Sequence, residues 1–456
     1  MGITIIQKSD LTKKKTNAKT ALVLAGGAVS GGAFKVGGLK ALNDFLVNRK
    51  VTDFDIYLGI SAGAFLAAPL AGGIGPETML ESLDGTSEDF FQLSPLHLYW
   101  PNYKEWIFRP VNFFYQHLTF VPGMIYDVFS TLPRIRKDFS ENLREFIKNP
   151  TYSNYEKLTK PLFKAMYGSR SMPSLGSLLP SGLCDNKRLG DYIRGNMERN
   201  HLTNNFKILK KVRGKSLYIV AMDLDSSQRV IFGYDEKNDV SISDAVQASS
   251  CIPGFYKPAR VKGIDYIDGG VRRTASIDVA IDKGAELIIC YNPFRPFFNQ
   301  IELEYIREQD KYVTKNKRMA DQGLLMIFNQ VFRTLFHSRL EHAIKLYETD
   351  PAFQGDIILI EPKEDDTAFF EMNPLTFWNR AKAARLGFES VRRSIAHRYP
   401  EIKRILNSYG IEMSDDKIQA DISSMARSGY RDETVMTVLE KDAEAPRPAL
   451  RVVGGR

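Results

Sequence analysis

Short apolar runs alternate with glycine-bearing turns and helix-length segments along the first part of the chain. Residues 20–24 form an apolar, β-favouring run that ends in Ala25, Gly26 and Gly27, and a helix-favouring segment follows at about 33–47. The order repeats with an apolar run at 54–58, a turn at Ser61 and a helix-favouring run at 64–68, closed by Pro69 and the pair Gly72 and Gly73. Two successive strand-turn-helix units predict a parallel sheet covered by helices.

From about 74 to 180 the alternation gives way to a segment dense in aromatics, among them Phe90, Phe91, Tyr99, Trp100, Trp106, Phe108, Phe113 and Phe114. Rings at this density pack a helical subdomain. Beside Arg109, Arg134, Arg136 and Lys137 they also suit a membrane interface, where an apolar body meets a charged rim. The earlier pattern then resumes. It predicts helices at 189–197, 242–249 and 277–283 and strands at 216–222, 229–234, 264–267, 286–291 and 356–360. Residues 301–347 read as long helical material, 377–394 as a closing amphipathic helix, and 402–441 as helical decoration.

The expected organisation is a basic, mobile arm at 1–18 and one α/β domain at 19–395, with insertions at about 74–180 and 296–352. A helical C-terminal extension at 396–441 and a disordered tail at 442–456, which carries Pro446 and Pro448, complete it.

Composition narrows the setting. The chain has 456 residues, 43% hydrophobic and 25% charged, enough for a sizeable core. Its three cysteines, Cys184, Cys251 and Cys290, form no C-x-x-C pair, which argues against a disulfide framework or a cysteine zinc site and fits a reducing, cytoplasmic setting. Lys8, Asp10 and the lysines at 13–15 break any signal-peptide core, and no later run is long enough to span a membrane. Ile6 stands where a myristoylation signal after Gly2 needs a hydroxyl residue. A net charge of +8 favours acidic partners, an anionic membrane surface among them. The positive residues are dispersed and accompany no nucleic-acid motif, so nucleic acid is not an expected partner.

The candidate chemistry starts at Gly59-Ile60-Ser61-Ala62-Gly63, a G-x-S-x-G pentapeptide between a strand-like and a helix-like run. A serine at such a turn is lifted clear of its neighbours, and the flanking glycines allow the tight bend. A hydroxyl becomes a useful nucleophile once a base takes its proton and donors hold the resulting oxyanion.

Two further motifs fall in line with it: the glycine loop Gly26-Gly27-Ala28-Val29-Ser30-Gly31-Gly32 and the turn Asp268-Gly269-Gly270. In this order the three resemble the patatin-like phospholipase family, and the likeness extends to Pro180-Ser181-Gly182-Leu183, to Ala248-Ser249-Ser250-Cys251-Ile252-Pro253 and to Leu359-Ile360-Glu361-Pro362. The resemblance covers most of residues 20–393. It implies a three-layer α/β fold with a mainly parallel central sheet, decorated by the aromatic-rich and helical insertions.

For chemistry the resemblance implies a serine-aspartate dyad that needs no cofactor or metal. Ser61 would attack an ester carbonyl of a phospholipid or related acyl lipid, and Asp268 would take its proton. Gly26, Gly27 and Ala28 would form the oxyanion hole, with Gly59 and Gly63 shaping the elbow and Gly269 and Gly270 the aspartate turn. Peripheral docking on a membrane follows from such a substrate. The chain departs from the family pattern at Ala28 and Ser30, where a third glycine and often a basic residue stand, and at Thr274-Ala275-Ser276, where asparagine and proline are common. An alanine amide still donates if its φ is negative.

Other residues offer rival readings. The six histidines, His97, His117, His201, His337, His342 and His397, lie in insertions or helical regions, though an α/β-hydrolase triad could draw its base from His337, His342 or His397. Asp265 is a second candidate base, but only Asp268 precedes paired glycines. Asp223 and Asp225 read as the polar end of a strand rather than a metal pair. The non-enzymatic alternative is a lipid-binding or scaffold protein on the same fold, suggested by Ala28 and Thr274.

Overall fold

Strands buried on both faces need helices above and below, and the chain supplies them. A computed structural model describes residues 2–167, 174–306, 311–314, 317–427, 429 and 432–441. Its central sheet has nine strands: β1 (Ile3–Gln7), β2 (Lys19–Leu24), β3 (Ile56–Gly59), β4 (Ser216–Asp223), β5 (Arg229–Gly233), β6 (Ala259–Val261), β7 (Ile264–Asp268), β8 (Ala285–Tyr291) and β9 (Asp356–Ile360). Their spatial order is β1-β9-β8-β2-β3-β4-β7-β6, with β5 also paired to β4. The central run β9, β8, β2, β3 and β4 is parallel. Antiparallel pairings lie toward the margins.

Helices that bear on the site and the insertions are α1 (Ala28–Phe45), α2 (Ala62–Gly72), α3 (Pro76–Asp84), α4 (Tyr103–Lys148), α5 (Tyr152–Tyr167), α6 (Lys187–Arg199), α7 (Ile242–Ser249), α8 (Ile277–Asp282), α9 (Leu324–Thr349) and α10 (Arg380–His397). The helices α11 (Tyr399–Ser408), α12 (Asp416–Arg427) and α13 (Asp432–Glu440) follow. Period-two alternation divides the sheet's side chains between two helix layers. On one face Val23, Ile288 and Cys290 pack with Ile277 and Val279 of α8 and with Leu340 and Ile344 of α9. On the other, Tyr291 meets Phe34 of α1 at a ring distance of 6.3 Å. This is the helix-covered, mainly parallel α/β architecture that the alternation predicts.

The structure departs from the sequence reading at several places. The expected mobile arm instead begins with β1, which pairs antiparallel with β9 and buries Ile3 and Ile6. Two buried residues three apart give too short a signal for a strand to be read from pattern alone. Pro69 does not end α2 but lies inside it, and the helix stops at Gly73 in the left-handed conformation. Within 301–347, Leu303–Ile306 pairs with Lys311–Thr314 as a hairpin ahead of α9. The expected disordered tail at 442–456 lies outside the described residues.

The chain forms two compact units, Met1–Trp100 with Asp185–Arg456, and Pro101–Cys184. The sheet belongs to the first. In the second, α4 and α5 pack on each other, with Phe146 and Tyr155 at a ring distance of 6.1 Å. Many of its rings, Trp106, Phe108, Phe114 and Tyr115 among them, are exposed rather than packed. Among the described residues no helix is long and apolar enough to cross a membrane.

Candidate active site

Strand β4 carries two other strands end to end along one edge. β3 pairs its first half, with Gly59 opposite Ile219, and β7 pairs its far end in the opposite sense, with Asp268 opposite Ala221. β5 overlaps both stretches and therefore takes the other edge. The C-terminal ends of β3 and β7 thus point at each other across Val220, which neither strand pairs. Ser61 follows one end and Asp268 closes the other, so chain topology brings the two side chains together.

Ser61 has φ 55° and ψ −127°, a left-handed backbone that costs a non-glycine residue about 1–3 kcal/mol. The surroundings hold it there. The Ser61 carbonyl accepts the Ala64 and Phe65 amides at 2.8 and 3.2 Å, starting α2, and its N–H donates to Ser249 Oγ at 2.8 Å. The Ser249 hydroxyl in turn donates to the Val220 carbonyl at 2.6 Å. A single hydroxyl thus fills the gap between the two strand ends. The elbow leaves no room for side chains beside the serine: a Cβ on Gly63 would collide with the Leu24 carbonyl oxygen, and one on Gly59 would lie 2.5 Å from Ala64 Cα.

The glycine loop starts α1 earlier than the helix periodicity predicts, at Ala28. The Val29 and Ser30 amides donate to the Pro374 carbonyl at 3.1 and 3.0 Å, and the Ala25 amide donates to Tyr291. Between them, the amides of Gly26, Gly27 and Ala28 donate to no protein acceptor among the described residues. A Cβ on Gly26 would lie 2.7 Å from the Phe294 ring and 3.4 Å from Ser61 Cβ, so the loop passes directly against the serine. The condition that Ala28 keep a negative φ is not met. Its φ is 53°, the left-handed region in which the missing third glycine would be unstrained.

Asp268 is buried beside Ser61, whose hydroxyl favours its ionised form, and its Oδ1 accepts the Gly270 amide at 2.8 Å. Burial pushes its pKa up to about 6, opposed by the bonds from Ser61 and Gly270 and by the Lys35 ammonium. Lys35, on α1, is itself fully buried, which brings its pKa down to about 7 against the pull of Asp268. Each charge favours the other.

A cavity of about 150 Å³ opens at Ser61, walled by side chains such as Val36, Leu66, Met79, Phe90 and Ile193. Its lining includes Ser250, whose buried Oγ has no partner among the described residues. Among the described residues no histidine lines it.

The rival residues are engaged elsewhere. Asp265 forms a two-point pair with Arg260 at 2.8 and 2.6 Å, which holds its carboxyl below the usual range. Asp223 Oδ1 accepts the Asp225 and Ser226 amides, closing the turn after β4. His337 faces Glu361 at 3.5 Å. Thr274, in the stretch that departs from the family pattern, donates its hydroxyl to the Phe336 carbonyl of α9 at 2.8 Å. Ser276, in the same stretch, has φ 49°, which a proline ring cannot adopt. Trp100 lies under the Arg188 guanidinium at 3.2 Å and is packed, whereas Trp106 is open to solvent.

Sequence reasoning singled out neither Ser249 nor Lys35 as a site residue. Ser249 lies within the Ala248–Pro253 motif with nothing in its neighbours to mark a role, and no residue next to Lys35 signals its burial.

Comparison with known proteins bears on the same elements. The chain is similar to Probable lipid hydrolase 463L of Invertebrate iridescent virus 6, 34% identical over 68 residues, which are 15% of this chain and 23% of that protein. The match therefore spans under a quarter of that relative. Among solved structures, VipD from Legionella pneumophila is 15% identical with a TM-score of 0.36, covering 97% of this chain and 84% of its own. Human GIVD cytosolic phospholipase A2 is 10% identical with a TM-score of 0.32, covering 86% and 59%. The family model for patatin-like phospholipase matches residues 22–281, more than half of the chain and the whole stretch from the glycine loop through Ser61 to Asp268, and the chain belongs to that family.

Proposed function

We propose that this protein hydrolyses carboxylic ester bonds of membrane lipids, as a phospholipase A or lysophospholipase, through an acyl-enzyme on Ser61. The observation that carries the reading is the apposition of Ser61 and the buried Asp268 carboxylate at the head of an apolar cavity, beside three amides that meet no protein acceptor among the described residues.

The chemistry runs in two halves. Asp268 accepts the Ser61 proton as Ser61 Oγ bonds to the ester carbon, and the carbonyl oxygen takes the negative charge beside the Gly26, Gly27 and Ala28 amides. The ester C–O bond then breaks, and Asp268 returns the proton to the leaving alcohol. Water repeats the sequence, bonding to the acyl carbon as Asp268 takes its proton, and Ser61 leaves as the hydroxyl. A carboxyl tuned to about 6 serves this cycle better than one at its ordinary value, since it is ionised at neutral pH yet a stronger base. Each oxyanion donor adds roughly 3–4 kcal/mol. The positive end of α2 adds to the same field.

The apolar cavity suits an acyl chain, and the exposed apolar residues of the protein suit a cytoplasmic enzyme that docks on a membrane to reach its substrate. Labelling with a fluorophosphonate and mapping the adduct tests the reading. The expected adduct is on Ser61, lost in Ser61→Ala and strongly slowed in Asp268→Asn. A folded wild-type protein that hydrolyses no lipid ester and takes no label on Ser61, with lipid vesicles present, would sink it.

A further inference from the structure

A lysine whose side chain is wholly buried needs strong partners to offset its desolvation. Lys35 finds them in the loop at the active site. Its Nζ donates to the Ala25 carbonyl and, at 3.3 Å, to the Gly26 carbonyl. Phe34 beside it stacks on Phe369 at 4.0 Å, fixing this part of α1.

In a planar trans peptide the carbonyl and the amide hydrogen point in opposite directions. The Ala25 carbonyl shares its peptide with the Gly26 amide, and the Gly26 carbonyl shares its peptide with the Gly27 amide. An ammonium that draws both carbonyls toward the core turns both amides the other way. Those are two of the three amides that meet no protein acceptor among the described residues. Ser30 stands where the family pattern often has a basic residue, and Lys35 supplies a positive charge to the same loop from five residues further along α1.

We propose that Lys35 is a positioning residue for the oxyanion loop, its ammonium clamping the Ala25 and Gly26 carbonyls so that the Gly26 and Gly27 amides face the reacting ester. This rests on the hydrolase reading above. The clamp touches no substrate, and it acts before substrate arrives, so the donors need no reorganisation when charge develops.

The test compares Lys35→Met, which keeps bulk without donors, and Lys35→Gln, which keeps a neutral donor, using a soluble short-chain ester. The expected loss in Lys35→Met is on the order of 10²-fold in kcat with KM little changed, because the amides matter most to the charged transition state. Affinity for a trifluoromethyl ketone, which forms a charged tetrahedral adduct with the serine, falls in parallel. Lys35→Gln recovers part of both. The acid limb of the pH profile also moves upward in Lys35→Met. The charged and titratable groups that act on the lysine are Asp268 and Cys290, and the ammonium holds the Asp268 carboxyl down.

A folded Lys35→Met whose kcat, ketone affinity and acid limb match wild type overturns the clamp. Should neither variant fold, lysine-labelled wild-type protein provides the reading by NMR. A Lys35 signal that shifts when Ser61 is phosphonylated supports coupling to the oxyanion loop, and one that stays fixed overturns it. If Ser61→Ala leaves hydrolysis intact, the hydrolase reading fails; if Ser61→Ala abolishes it while Lys35→Met does not, only the clamp fails.

Discussion

Ser249 Oγ accepts the Ser61 amide at 2.8 Å, and this one bond joins the elbow to the gap where β3 and β7 end. With its proton on the Val220 carbonyl, Ser249 satisfies two buried backbone groups at once. Ser249→Ala leaves both without a partner, so stability should fall by about 1–3 kcal/mol. Ser61 should also label more slowly, because its strained backbone has lost a restraint. Urea unfolding and fluorophosphonate kinetics read the two effects separately. Unchanged labelling in a destabilised variant would reduce Ser249 to a packing residue.

The raised pKa of Asp268 gives linked predictions for activity and stability. With ionised Asp268 as the proposed base, kcat/KM should fall about tenfold per pH unit below about 6. Because the folded pKa lies above the unfolded one, the folded protein binds the extra proton. This stabilising contribution is full below about 4 and is lost as pH rises through about 6. Asp268→Asn removes that penalty, and at pH 8 it should be more stable than wild type by ~1–3 kcal/mol while nearly inactive. Thermal unfolding at pH 5 and 8 checks the sign, which must favour the variant more at the higher pH.

Ala28 holds a left-handed backbone at φ 53°. Replacing it with glycine removes about 1–2 kcal/mol of strain and adds back somewhat less in chain entropy. Ala28→Gly should therefore stabilise the protein by about 0.5–1 kcal/mol and leave the label on Ser61. Guanidinium titration measures the difference. A destabilised variant would mean that the alanine methyl makes contacts worth more than its strain.

Lys40, also on α1, is buried with Asp44 at 2.5 Å, and Glu77 of α3 and Asp421 of α12 lie within 3.6 and 3.8 Å of it. The C-terminal extension, read as decoration from its sequence, thus contributes to a buried charge cluster. Lys40→Met removes the cation that Asp44, Glu77 and Asp421 share, leaving Asp44 with Lys417 at 2.8 Å, and should cost about 3 kcal/mol. A second change, Asp44→Leu, should recover part of that loss. Full additivity in the double-mutant cycle would contradict the cluster.

Along α9, Leu324, Phe328, Val331 and Leu335 are exposed at helical spacing, 65%, 49%, 45% and 46% respectively. Under the proposed function, such a stripe fits docking on an acyl-lipid surface. Phe328→Asp with Val331→Asp should weaken co-sedimentation with anionic vesicles severalfold while sparing hydrolysis of a soluble ester. Equal binding of the double variant would remove α9 from the docking surface.

The strand-turn-helix pattern carried the fold a long way. Residues 20–24, 54–58, 286–291 and 356–360 are continuous apolar runs, and a strand buried on both faces leaves that signature in any context. Ser61 and Asp268 were legible because glycines mark sharp backbone turns locally. β1 escaped notice because an edge strand needs only Ile3 and Ile6 inside, and the hairpin after residue 302 escaped because its residues lack a strong period.

Local chemistry, in short, named the serine, the aspartate and the glycine loop, since each depends on residues adjacent in the chain. Their meeting is a property of the sheet, where β3 and β7 end head to head on one edge of β4, a pairing that no single segment encodes. The same holds for the charges on α1. Nothing local marks Lys35 and Lys40 as interior, and it is the packing of the sheet, α3, α10 and α12 around α1 that buries them. Whether a lysine is a surface charge or a buried clamp depends on what the rest of the chain folds over it, and that information is long-range.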